Sequence, residues 1–183
     1  MFIGLVFAWS AQTAHAEGMD TGNFWIPRTN DRFVVDVQEN IGYLVHENGD
    51  VFSFPVVTGQ RRTVHYIGLT YFAATPERQW TVRTHENKGK SVTFGPSGRF
   101  LRLFLDDGER TAYGIHGHMS AEEMLSEEKR YRSMGCIIVS EPILDIVART
   151  LDANGGTLRV ITTRKAETAL LPTEKTAFTA ARK

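Results

Sequence analysis

Short runs of β-branched and aromatic residues, each closed by turn residues, recur along most of this chain and constrain its fold more than any other feature. Arg32-Phe33-Val34-Val35-Asp36-Val37 is the first. Gly42-Tyr43-Leu44-Val45-His46 and Val51-Phe52-Ser53-Phe54-Pro55-Val56-Val57 flank Glu47-Asn48-Gly49-Asp50. An Asn-Gly pair between two such runs predicts a tight hairpin in which both turn residues take positive φ. Gln79 to Arg83, Phe100 to Leu105, Thr111 to Ile115 and Leu158 to Thr162 continue the pattern. Gln60 to Ala74 lacks a clear period, and Thr84 to Gly98 reads as a long polar loop of the kind that borders a site.

Two helices interrupt the strands. Ser120, with Glu123 three residues on, predicts a capping box for a surface helix running to Arg130. Ser140 predicts the cap of a second helix, with Pro142 in its first turn and Ile143, Leu144, Val147 and Leu151 on one face. Asn154-Gly155-Gly156 stops it. The expectation is a mainly β protein with one or two helices, about seven or eight strands in a mixed or antiparallel sheet system, and one helix packed on it. Residues 165–183 read as a polar, flexible tail without a core contribution.

With 183 residues, 42% of them hydrophobic and 23% charged, the chain is long enough for one domain with a real core. Its formal net charge is zero, and it carries no nucleic-acid motif, Walker loop or internal repeat, so composition favours neither nucleic acid nor an anionic membrane. Phe2 to Trp9 is an apolar run too short to span a bilayer, and Ala14-His15-Ala16 fits a secretory cleavage pattern. Residues 1–16 are therefore expected to be a signal peptide and 17–30 an irregular lead-in. No Lys or Arg precedes the apolar run, which points to a truncated start. The alternative is a buried N-terminal strand or helix.

Export makes the cysteine count informative. Exported proteins use cysteines mainly in pairs, and Cys136 is the only one in this sequence. An unpaired cysteine there is an intermolecular bond or a functional thiol, against the alternative of an inert buried residue. A thiolate is the nucleophilic form, a neighbouring imidazole activates it, and the resulting oxyanion needs backbone N–H groups. His116 lies twenty residues upstream of Cys136, and Gly135 leaves no side chain beside the peptide groups at the thiol. A strand ending at His116, a helical excursion and a return at Ser133 would bring base and thiol together.

The pattern His116-Gly117, then Ser133-Met134-Gly135-Cys136-Ile137, resembles the L,D-transpeptidase catalytic domain (YkuD-type) family. Arg32 to Val37, Gly42 to Val45, Phe54 to Gly59, Thr75 to Val82 and Gly114 to Gly117 are similar to family segments in the same order. The resemblance implies an L,D-transpeptidase-like β-sandwich or barrel of mixed sheets over residues 31–164. It implies Cys136 as nucleophile and His116 as base, with the Gly117 carbonyl holding the imidazole and Ser133 ordering the loop. It places the N–H groups of Gly135 and Cys136 in the oxyanion hole and His118, Met134 and Ile138 at substrate-contacting positions. No cofactor or metal is implied. The implied partner is a peptidoglycan stem peptide, in the periplasm or cell wall, without nucleic acid or stable membrane insertion. Three positions depart from the family pattern: Met134 stands for its usual His, Ile138 for its Arg or Asn, and Arg78 for a frequent Gly.

Rival readings of the same residues stay open. His116 and His118 with Cys136 form a possible metal set. His65, His85, Arg61, Arg62, Arg83 and Lys88 make the long loops basic and suited to substrate carboxylates. A non-catalytic wall-binding module and a thiol redox protein are the remaining alternatives.

Overall fold

The structure is a computed structural model, and residues 25–172 are described. The signal-peptide expectation lies outside them. In chain order the elements are β1 Arg32–Asp36, β2 Ile41–Val45, β3 Val51–Pro55, β4 Thr58–Gly59, β5 Thr63–Tyr66, β6 Leu69–Phe72, β7 Arg78–Asn87 and α1 Ser91–Phe94. They continue as β8 Arg99–Phe104, β9 Arg110–His116, α2 Ala121–Ser126, β10 Tyr131–Ser133, β11 Ile137–Ile138, α3 Glu141–Ala153, β12 Leu158–Thr163 and α4 Ala166–Leu170.

One sheet of eight strands carries the fold, in the order β11-β9-β8-β7-β12-β1-β2-β3. It is mixed: β11 runs parallel to β9 and β12 parallel to β1, while the other neighbours are antiparallel. The chain leaving β3 at one margin reaches β11 at the other. There Val57 and Ile138 exchange both backbone hydrogen bonds at 2.9 Å. The sheet thereby curls into a half-barrel, in agreement with the mainly β, mixed-sheet expectation.

The amphipathic face read from Ile143, Leu144, Val147 and Leu151 is buried as expected. α3 closes one face of the sheet and packs with Phe33, Trp80, Leu101, Leu103, Ile115, Ile137, Leu158 and Val160. Burying each such side chain contributes about 1.5–3 kcal/mol before the entropy of ordering the chain is set against it. No helix among the described residues is long and apolar enough to cross a membrane.

Several local expectations are corrected. α2 stops at Ser126, and neither Ser120 nor Ser140 makes a side-chain cap hydrogen bond. In the first hairpin only Gly49 of the Asn-Gly pair has positive φ, and His46 N–H bonds to Asp50 O at 2.9 Å, so the loop is longer than a two-residue turn. Gln60 to Ala74 contains the hairpin β5–β6, and β7 extends to Asn87 before α1, which replaces the long loop. Residues 165–172, the described part of the expected tail, pack on the sheet: Ala166 of α4 is buried against Val34 and Val45, and Arg32 donates to the carbonyls of Ala169 and Leu171 at 3.1 and 2.5 Å.

Candidate active site

The site lies at the β11 margin. Ile115 pairs with Ile137 and His116 with Ile138 in parallel register. Ile115 and Ile137 point into the core. Strand alternation therefore turns Gly114 and His116 of β9 and Ile138 of β11 to the opposite face. Cys136 directly precedes β11, so the residues carrying the thiol and the imidazole, twenty apart in sequence, come to neighbouring strands.

His116 is 5% exposed. Its Nδ1–H donates to the Gly117 carbonyl at 2.6 Å, the contact that the resemblance implied. In the neutral ring this leaves the lone pair on Nε2. The ring is held by Phe100, whose centroid is 5.7 Å away at 24°, and by Phe94 at 5.2 Å and 68°. Burial lowers the imidazole to about 4; the Gly117 carbonyl opposes this, His118 adds to it, and the Thr93 carbonyl opposes it again.

Cys136 is half-buried. Its Sγ faces the Ala112 carbonyl at 3.9 Å, and no hydrogen bond joins it to the His116 ring among the described residues. Burial pushes the thiol up to about 11, against the Gly114 backbone and the Arg102 charge, which both favour the thiolate. With the thiol near 11 and the imidazole near 4, both groups rest neutral at pH 7. Burial thus disfavours the charged form of both groups, the thiolate and the imidazolium alike.

The turn carrying the thiol is tied from both sides. Ser133 Oγ donates to the Cys136 carbonyl at 2.6 Å and accepts from the Gly135 N–H at 3.1 Å. That second bond engages one of the two donors expected in the oxyanion hole. Gly135 has φ +117°, and an added Cβ would lie 2.6 Å from Tyr113 Cε1, so only glycine fits. Thr75 Oγ1 donates to the Gly135 carbonyl at 2.9 Å, and the Tyr71 hydroxyl donates to the Met134 carbonyl at 3.2 Å. A cleft of about 440 Å³ opens beside this turn, lined by Thr58, Gly59, Ala74, Thr75 and Tyr113, with Arg61 and Arg164 among its charged residues.

The remaining candidates separate. Met134 Sδ receives the Gln60 amide at 3.2 Å, beside the thiol turn. Ile138 is buried with Val57, Ala121, Met124 and Leu125. His118 Nδ1 accepts from the Ser120 N–H at 3.0 Å, in the loop after β9. No group of three metal-ligating side chains exists among the described residues, so the set His116, His118 and Cys136 does not converge. His65 bonds Thr70 in the β5–β6 hairpin, His85 bonds Asp152, and Arg62 bonds Gln60. Arg83 lies over Phe104 and Lys88 over Phe100.

Sequence reasoning missed three contributors: Phe100, the pair Arg102–Glu86, and Glu141. Phe100 and Arg102 were legible as residues of one face in the alternation of β8, where Leu101 and Leu103 are core residues, but the pairing of Arg102 with Glu86 of β7 was not. Glu141 Oε1 is buried without a hydrogen-bond partner, and sits where a side chain on Gly117 or Gly95 would be, at 2.3 and 2.1 Å from the respective Cβ positions.

Two solved structures share this architecture with TM-scores of 0.50. Among solved structures, the Bdellovibrio bacteriovorus protein Bd1075 matches with TM-score 0.50 at 13% identity, over 73% of this chain and 47% of that one. A mutant of the helical cell shape determining protein Pgp2 from Campylobacter jejuni matches with TM-score 0.50 at 14% identity, over 77% and 49%. The L,D-transpeptidase from Xylanimonas cellulosilytica matches with TM-score 0.47 at 20% identity, over 74% and 61%. The chain thus spans roughly half to three-fifths of the length of these structures. No curated protein matches the sequence. The model of the YkuD L,D-transpeptidase catalytic domain matches residues 30–161. By that match, which takes in both His116 and Cys136, the chain belongs to the YkuD family of L,D-transpeptidase catalytic domains.

Proposed function

We propose that the protein is a cysteine-dependent acyl transferase of peptidoglycan stem peptides, in its simplest form an exported L,D-transpeptidase. The observation that supports this reading is the parallel pairing of β9, which ends at His116, with β11, which begins directly after Cys136. In the proposed reaction Sγ, after turning from the Ala112 carbonyl toward His116, attacks the meso-diaminopimelate carbonyl of the peptide bond to D-alanine in a tetrapeptide stem. The thiol proton passes to His116 Nε2 as the S–C bond forms. The Cys136 N–H stabilises the oxyanion, joined by the Gly135 N–H if it leaves Ser133 Oγ. The C–N bond then breaks, His116 returns the proton to the leaving amine, and D-alanine departs. An amine or water attacks the thioester and releases the thiol.

A second reading, hydrolysis by an L,D-carboxypeptidase or amidase, is favoured by one observation. Ile138 and its apolar neighbours put no polar side chain where the family usually carries Arg or Asn, so the cues for acceptor choice are altered. A wall-binding module without catalysis is the remaining alternative. Purified muropeptides incubated with the protein and with Cys136→Ala, followed by mass spectrometry, separate these. Crosslinked dimers made only by the unsubstituted protein support transpeptidation, and shortened stems support hydrolysis. Identical products from both proteins exclude thiol catalysis.

A further inference from the structure

Arg102 is 8% exposed and shares the outer face of β8 with Phe100. It stands in register with Gly114, on the strand that separates it from β11. Gly114 has no side chain, and the Phe100 ring fills that space: a Cβ there would lie 2.2 Å from Cζ. The Arg102 guanidinium sits 4.9 Å from the centre of the same ring. It is fully engaged. Nε and Nη2 grip the two Glu86 oxygens at 2.5 and 2.7 Å, and Nη1 donates to the Thr111 carbonyl at 2.6 Å. Lys88 Nζ at 2.6 Å and Arg110 Nη2 at 3.4 Å also approach Glu86, so three cations share one carboxylate and the cluster stays positive. Those hydrogen bonds from Arg102 hold Glu86 well below the usual carboxylate range.

We propose that Arg102, anchored by Glu86, is a positioning residue for the nucleophile: its fixed positive charge, across Gly114 from Cys136, makes the thiolate accessible inside a half-buried site. The inference rests on the reading of Cys136 as the nucleophile. No residue of β11 can supply that charge, because Ile138 is packed among Val57, Ala121, Met124 and Leu125. The other titratable groups around the thiol are neutral near pH 7. His116 of β9 is lowered by burial, and Tyr71 of β6 and Tyr113 of β9 are raised, chiefly by burial. Glu86 and Lys88 of β7 and Arg110 of β9 act on it through the Arg102 cluster. An arginine so bonded neither moves nor loses its proton, and its field acts in ground state and transition state alike.

The test is the pH dependence of Cys136 alkylation by iodoacetamide in the full chain, which the single cysteine makes unambiguous. Arg102→Met is expected to raise the midpoint by about 1 pH unit and to slow alkylation about tenfold below it. Arg102→Lys is expected to fall between the two. Glu86→Gln removes the counter-charge and keeps an acceptor, so it is expected to lower the midpoint. Opposite shifts from the two partners are the signature, since loss of structure would move both toward the ordinary thiol value. Shifts of the same sign, or no shift in Arg102→Met with its circular dichroism intact, would overturn the proposal. If Arg102→Met does not fold, Arg102→Lys and Glu86→Gln decide by the same signs. Alkylation needs no stem peptide, so opposite shifts in a protein inert toward muropeptides would refute the transferase reading alone.

Discussion

The Phe100 ring lies nearly parallel to the His116 imidazole, 5.7 Å away at 24°, and it does so on the bare backbone of Gly114. Phe100 and Gly114, on two adjacent strands, thus join Phe94 and the Gly117 carbonyl in setting the orientation of the candidate base. A side chain on Gly114 would enter the Phe100 ring, whose Cε1 and Cε2 both lie 2.6 Å from its Cβ position. Gly114→Ala should destabilise the protein by about 1–3 kcal/mol through overpacking and should turn His116 out of line. Phe100→Leu, combined with it, should recover part of the stability. Urea denaturation of the four proteins in the cycle measures the coupling.

Acid should weaken the fold through His116. The unfolded chain takes up a proton near the ordinary 6.5, whereas the buried ring refuses it until about 4. This contribution is complete above pH 6.5 and is lost as pH falls toward 4, amounting to on the order of 3 kcal/mol. Glu86, also lowered, loses its contribution as pH falls below the usual carboxylate range. Denaturation midpoints from pH 7 to 4, for the protein and His116→Gln, should converge as pH falls.

Glu141 should be the obstacle to any side chain at Gly117. Its Oε1 is 2.3 Å from the Cβ that Gly117→Ala would add, and the Gly117 carbonyl holds His116 Nδ1. Gly117→Ala should cut turnover by about 10²-fold through misplacement of the base. Gly117→Ala with Glu141→Ala should recover a measurable part. Equal turnover in the single and double variants would refute this account.

Restoring the family's residue at Ile138 should fail. The position is 3% exposed and closed in by Val57, Ala121, Met124 and Leu125. Ile138→Arg would bury an unpaired charge and should cost about 3 kcal/mol or more, with no gain in turnover. Thermal unfolding and a muropeptide assay check the two halves.

The long strands and α3 were legible because burial on one side writes a period into the sequence. Leu158, Val160 and Thr162 alternate with their neighbours, and Ile143, Leu144, Val147 and Leu151 recur at helical spacing. The β5–β6 hairpin was not, because Tyr66, Leu69 and Phe72 are exposed on a strand pair outside the main sheet and carry no inside–outside alternation. β11, with two residues, is too short for any period, yet its parallel register puts Cys136 beside β9. The Ser120 cap was misread because its backbone, at φ −97° and ψ 29°, is not in the extended form that aims a capping oxygen. His116 and Cys136 were found as residue types with a known chemistry. The pairing of Glu86 with Arg102 was not, since it joins residues sixteen apart that no motif links.

The bond pair between Val57 and Ile138 acts as a clasp. A sheet of this kind has two outer strands, each with unsatisfied backbone groups able to recruit a foreign strand. Here a single bridge ties the chain leaving one margin to the strand at the other, and the thiol is mounted two residues from the fastening. The contacts that guard the protein against edge-to-edge aggregation are therefore the same ones that hold its candidate nucleophile in line, so neither can be loosened by mutation without the other.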